Sequence, residues 1–148
     1  MKKTILLLLA ALICATSHAQ RKLKYSDIYE RLGKESAEHT LLKLSEFQSQ
    51  MPEFANTYIQ SGLIQWAWLQ EEDPFLNYYY VKQLIYNTKL YLGLGISKIQ
   101  ADEKEVKKNS AFYANLGVGS AKTVTQEAVL QKINGIMDKV LKADVICW

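Results

Sequence analysis

Two cysteines, two histidines and two prolines in 148 residues exclude several kinds of protein at once. A disulfide-stapled domain needs several cysteine pairs, and this chain has only Cys14 and Cys147, at opposite ends. A zinc centre needs several Cys, His or carboxylate ligands at short spacing, which His18 and His39 do not provide. His39 and Cys147 are too far apart in sequence for their spacing to suggest a Cys–His nucleophile, and His39 is expected on a helix surface beside Glu35 or Lys43. Gly93-x-Gly95 and Gly117-x-Gly119 lack the preceding strand of a phosphate-binding loop. Glu71, Glu72 and Asp73 are adjacent acids with no twelve-residue ligand loop after them, so they read as a solvated turn rather than a calcium site. No catalytic, cofactor or metal residues are assigned, and an enzyme is not expected. Alternating strand patterns are absent too. Cations are not clustered as polyanion binding requires, so no nucleic-acid partner is expected.

The N-terminus carries the pattern of a secretory leader. Lys2 and Lys3 precede an apolar run over residues 5–15, and Ser17-His18-Ala19 places small residues at the two positions a signal peptidase reads. The expectation is a signal peptide at residues 1–19, cleaved before Gln20, and a periplasmic or secreted protein. Ile13 before Cys14 does not fit a lipidation signal. Cleavage leaves 16 basic and 15 acidic residues, a net charge of about +1, and Cys147 as the sole cysteine. No later stretch reaches the roughly 20 apolar residues of a membrane span. Stability must then come from packing.

Helical periodicity fills the rest. Residues 25–32 form a short helix capped by Ser26 or Asp27, with Ile28, Tyr29 and Leu32 on one face and Gly33 as its stop. Residues 35–50 repeat Ala37, Leu41, Leu44 and Phe47 or Gln48 at three- and four-residue steps. Residues 54–70 form a third helix with Tyr58, Gly62, Ile64 or Gln65, and Leu69 inward. Asp73 caps a fourth, with Pro74 in its first turn, running over residues 75–99. Gly93 and Gly95 mark a bend or a close helix contact. Residues 102–113 form a short charged helix anchored by Val106, Phe112 and Tyr113, in which Glu103 pairs with Lys107 and Asp102 has no partner. Residues 114–123 are a Gly- and Ser-containing linker. Thr123 and Gln126 form a capping box. It opens an amphipathic helix within residues 124–148, whose apolar stripe includes Leu130, Ile133, Ile136, Met137, Val140 and Leu141.

Thr40, Leu44, Pro52, Tyr58 and Gly62 keep the spacing of one helix-pair junction: a small and a large residue, a proline between helices, then an aromatic and a glycine four apart. This stretch resembles a divergent tetratricopeptide-like repeat of the kind found in bacterial envelopes. The resemblance implies an all-α fold of TPR-like antiparallel helix pairs, a short α-solenoid over residues 20–113, with the C-terminal amphipathic helix as an addition. Pro74, where the pattern wants a small residue, makes the second pair irregular. Leu44, Pro52, Tyr58 and Gly62 are the repeat-packing residues.

Such arrays present a surface for peptides, so the expected function is that of an exported, non-enzymatic interaction or scaffold module with a protein or peptide partner. The candidate partner-binding residues are Trp66, Trp68, Tyr78 and Tyr79. The alternative is small-ligand or glycan binding through exposed Trp and Tyr side chains. Of the run 78–80, Tyr79 or Tyr80 is expected to face the core. The C-terminal helix either folds back on the fourth helix as a cap or mediates self-association.

Overall fold

The structure is a computed structural model that describes residues 22–146; the signal peptide expected at residues 1–19 and Cys147 lie outside them. Among the described residues the fold is all helical, with no strand. The helices are α1 (Tyr25–Tyr29), α2 (Ala37–Gln50), α3 (Ala55–Glu71), α4 (Tyr78–Ala101), the single turn α5 (Glu105–Lys108), a 3₁₀ segment (Ser110–Leu116) and α6 (Gln126–Ile146).

Several boundaries have a local cause. Ser36 caps α2 by accepting from the His39 N–H at 3.3 Å. Gly33 and Gly117 adopt left-handed backbone (φ 73° and 69°), which glycine enters without strain, and they end α1's trailing turn and the 3₁₀ segment. The helix expected from residue 75 starts instead at Tyr78. Asp73 accepts from the Phe75 N–H at 2.8 Å and so holds a separate turn ahead of α4. The charged helix expected over 102–113 is divided between α5 and the 3₁₀ segment. Asp102, expected to be unpaired, accepts from Lys104 N–H and meets Lys108 Nζ, both at 2.9 Å, because the chain turns at its carboxylate instead of continuing straight. The cap of α6 is Thr125, which accepts from the Ala128 N–H at 3.2 Å. Thr123 bonds Ser120 within the loop, so the expected capping box does not form.

Contacts along α3 and α4 run in opposite senses: Ile59 meets Gly95, Gly62 meets Leu92, and Gln65 meets Asn87. The two helices are therefore antiparallel. A Cβ on Gly62 would lie 2.6 Å from Leu92 Cδ2 and 3.1 Å from its backbone N; one on Gly95 would lie 2.6 Å from Ile59 Cγ1. The helices approach this closely because each lacks a side chain at one contact. Helix α6 returns antiparallel to α4, from Gln126 bonded to the Ile99 carbonyl (3.1 Å) to Asp144 between Lys89 (2.9 Å) and Lys82 (3.3 Å). Val129 and Ile133 join Ala55, Ile59, Leu92 and Ile99 in one core, and Val140 joins Leu69, Val81 and Leu84 in the next. Leu141, expected in the stripe, is 44% exposed. Val106, Tyr113 and Leu116 close the lower core, with Val118 and Val124 of the following loop packed on it.

A third cluster ties α1 and α2 to the start of α3. Tyr25 is ringed by Phe54, Phe112 and Phe47, at centroid distances of 4.7, 4.8 and 5.3 Å. Helix α3 thus has neighbours on nearly every side, and its buried residues include Asn56, Thr57, Gln60, Ser61 and Gln65. An enclosed helix shows no single apolar stripe.

Candidate functional site

The buried polar residues of α3 are each hydrogen-bonded: Thr57 donates to the Phe54 carbonyl at the helix's own start (2.8 Å), and the others find partners on different neighbours. Asn56 accepts from the Tyr25 hydroxyl at 2.5 Å and donates to the Phe112 carbonyl at 2.8 Å. Burial, reinforced by Tyr29, pushes the Tyr25 phenol well above its usual range, so it stays a donor. Gln60 and Asn115 exchange two amide bonds, at 3.2 and 3.0 Å. Ser61 bonds Gln48 of α2 (3.2 Å), and Gln65 accepts from Asn87 of α4 (3.4 Å). Nearby, burial also raises the Tyr113 hydroxyl and the Glu105 carboxyl; the Tyr113 hydroxyl donates to Glu105 at 3.1 Å.

The Gln60–Asn115 pair borders an open groove of about 290 Å³ against the second half of α3. Leu63, Ile64, Ala67 and Trp68 form its α3 wall. Ala37 and Thr40 of α2 face them, and the turn at Leu32, Gly33 and Glu35 closes one end. Apart from the Trp68 indole N–H, its polar side chains are already engaged. Thr40 donates to the Ser36 carbonyl at 3.0 Å. Glu35 accepts from Lys43 (2.9 Å) and Arg31 (2.8 Å), and those bonds hold its carboxyl at a pKa of about 2. His39 stands 3.6 Å from Glu35 on the exposed surface. What remains for a ligand is an apolar slot, the usual lining of a small binding site.

Of the four residues expected to bind a partner, only Trp68 lines this groove. Trp66 is half-buried and packs against the core shared by α3, α4 and α6. Tyr78 and Tyr79 are at the start of α4 and stack edge-to-face on each other, with centroids 5.5 Å apart. The four do not form one surface. The expectation that Tyr79 or Tyr80 faces the core is overturned: Tyr79 is 88% exposed and Tyr78 and Tyr80 are 42% exposed. The buried face of α4 begins only at Val81. Of the repeat-packing residues, Leu44 and Gly62 are buried, Tyr58 is half-buried beneath Lys98 Nζ (5.1 Å from the ring centroid), and Pro52 is exposed in the turn between α2 and α3.

Sequence reasoning missed Gln60 and Asn115, which meet across 55 positions, and the exposed apolar residues Phe75, Leu76, Tyr86, Leu90 and Leu94. The spacing of Tyr79, Tyr86, Leu90 and Leu94, at seven- and four-residue steps, would have placed those four on one helix face. Among the described residues, no three His, Cys, Asp or Glu side chains stand together as a metal-holding group, and no helix is long and apolar enough to cross a membrane. Comparison of the chain with family models, curated proteins and solved structures gave no match.

Proposed function

We propose that this chain is an exported, non-enzymatic interaction module of the bacterial envelope, and that it takes an apolar side chain of a peptide or protein partner into the groove between α2 and α3. The observation that carries this reading is the state of the groove's polar groups. Gln60 and Asn115 bond each other, Thr40 bonds its own helix, and Glu35 is held by two cations. A sugar needs many directed hydrogen bonds and would have to break these pairs, Gln60 being the buried member. An aliphatic or aromatic side chain needs only the apolar walls. Glycan binding therefore ranks second.

The tetratricopeptide-like arrangement is part of the same proposal. Thr40 and Leu44 buried on α2, and Gly62 against Leu92, support it. The export proposal rests on the leader motif and predicts a purified envelope protein whose intact mass begins at Gln20. A mass that includes Met1 would end it.

The binding reading is tested by selecting peptides from a displayed random library on the whole protein and on Ala67→Arg. Ala67 lines the groove yet is exposed, so arginine, a good helix former, fills the slot without disturbing the fold. Selected peptides should share one aromatic or aliphatic anchor, shift Trp fluorescence, and bind the variant at least tenfold more weakly. Equal binding to both forms would overturn the groove assignment. Enrichment on a glycan array, with no peptide recovered, would favour the second reading.

A further inference from the structure

Glu105, in the single turn α5, is a carboxylate where a carboxylate is costly. It is only 7% exposed. Both of its oxygens are bonded, one by the Tyr113 hydroxyl at 3.1 Å and the other by the Asn109 side-chain amide at 2.9 Å, and both donors are neutral. The lysine three residues on is engaged elsewhere, since Lys108 Nζ meets Asp102 at 2.9 Å. A buried charge held by neutral donors alone is less stable than one with a cation beside it. Asn109 stands at the start of the 3₁₀ segment and Tyr113 within it, so Glu105 fastens that segment to α5. We propose that the Glu105 carboxyl is a pH-sensitive latch on the 3₁₀ segment: protonated, it holds the segment against the core, and ionised, it loosens the segment together with the Gln60–Asn115 pair at its far end.

The segment's other attachments do not respond to pH in this way. Asn56 donates to the Phe112 carbonyl, the Tyr29 hydroxyl accepts from the Asn115 N–H at 3.2 Å, and Gln60 and Asn115 exchange two bonds. Those groups are amides, a carbonyl and a phenol; Glu105 is the one carboxyl among them. Its surroundings fix the sign. From its own turn it is flanked by Asp102, a like charge, and by Lys108. Tyr113 faces it from the 3₁₀ segment, with Tyr25 of α1 behind, and burial keeps both phenols neutral. Helix α6 meets the same turn through the apolar core that holds Val106, Val129 and Ile133. Burial first, and then the charge of Asp102, raise the Glu105 carboxyl above its ordinary 4.5; the bonds from Tyr113 and Asn109 and the charge of Lys108 oppose them and do not cancel them. A raised value means that the closed segment holds the proton more tightly than the open one. The contribution is complete below pH 4.5 and is lost as pH rises through the folded value. A difference of one between the two pKa values is about tenfold in the ratio of closed to open. The segment is a short 3₁₀ stretch between a single helical turn and a loop, so it opens without separating α3 from α4.

The test is amide hydrogen exchange of the whole protein, read at the Phe112, Asn115 and Gly117 N–H groups from about pH 4.5 to about pH 8 and corrected for the intrinsic rate. Their protection should fall as pH rises, while that of the Leu92 N–H in the α3–α4 core does not follow it. Glu105→Gln has nearly the shape of the protonated acid and should keep the acid-side protection throughout. Any other titrating group cancels in the comparison with that variant. Two further variants move the fall in opposite senses, which a merely structural Glu105 would not do. Tyr113→Phe keeps the buried ring and removes a donor to the carboxylate, so it should shift the fall to higher pH and enlarge it. Asp102→Asn removes the like charge and keeps an oxygen for the Lys104 N–H, so it should reduce the fall. Protection indifferent to pH would overturn the proposal. So would a Glu105→Gln variant that follows pH as the unchanged protein does, or a shift of the same sense in Tyr113→Phe and Asp102→Asn. The measurement needs no ligand, so it stands whether or not the groove beside Asn115 takes a peptide.

Discussion

Gly62 is the position where one methyl group should reverse the usual effect of replacing a helical glycine. Alanine in place of glycine in a helix interior ordinarily gains about 0.8–1 kcal/mol of helix propensity. At Gly62 the added Cβ would sit 2.6 Å from Leu92 Cδ2, 2.7 Å from its Cγ and 3.1 Å from its backbone N. Leu92 is fully buried, so its branch cannot swing into solvent, and the backbone contact limits how far the helices can slide. Overpacking of this kind costs about 1–3 kcal/mol. Gly135 of α6 supplies the comparison, since nothing lies within 4 Å of the Cβ it would gain. The propensity gain is common to both substitutions and cancels in their difference, which leaves the clash itself. Gly62→Ala should therefore be about 1–3 kcal/mol less stable than Gly135→Ala, with Gly135→Ala above the unchanged protein. Urea unfolding followed by far-UV circular dichroism measures both. Gly62→Leu, with three further carbons and no space for them, should be less stable still. If Gly62→Ala were as stable as Gly135→Ala, α3 and α4 would not be in close contact at this point and the packing argument would be wrong.

Three further outcomes are expected. Asn56→Ala leaves the Tyr25 hydroxyl buried without its acceptor and should cost about 1–3 kcal/mol, more than Tyr25→Phe. The double change should cost less than the sum, and strict additivity in chemical denaturation would show that the two do not share one network. Glu35 has a folded-state pKa of about 2 against an ordinary 4.5, held down first by the hydrogen bond from Lys43 and then by that from Arg31. Since the folded pKa is depressed, its contribution is complete above the ordinary value and fades as pH falls toward the folded one. The melting-temperature gap between the protein and Glu35→Gln should be constant near neutrality and close between about pH 4.5 and pH 2; a gap independent of pH contradicts the assignment. Ile133→Ala removes a fully buried side chain from the core that α6 shares with α3 and α4, and should cost about 2–5 kcal/mol. Leu141→Ala, on the exposed side of the same helix, should cost much less, and equal losses in thermal melts would mean α6 is docked in another rotation.

Much of the helical order was legible in the sequence, because periodicity and stop signals act within a few residues. Leu44 and Phe47 on α2, and Ile133 and Val140 on α6, recur at the helical period and are buried. Gly33 ended the first helical segment for a reason visible in its own backbone freedom. Where two local signals compete, the sequence could not choose. Asp73-Pro74 reads as a helix start, yet its carboxylate caps a separate turn and α4 begins at Tyr78.

Other features depend on what the rest of the chain brings alongside. Three consecutive tyrosines spread around a helix, and the periodicity argument turned one of them inward. In the structure all three are exposed, because the packing of α4 against α3 and α6 begins at Val81. The polar row of α3 looked unsuited to a core, and it is buried only because Tyr25, Gln48, Asn87, Phe112 and Asn115 arrive from other elements to bond it. The sequence alone determined that the described chain is helical and where most turns fall, since those follow from residue conformational preferences and short-range spacing. Only the tertiary structure decided which polar groups are spent on each other, where an apolar groove stays open beside Trp68, and which face of α4 is left uncovered. Those depend on contacts between residues far apart in the chain, and no local pattern encodes them.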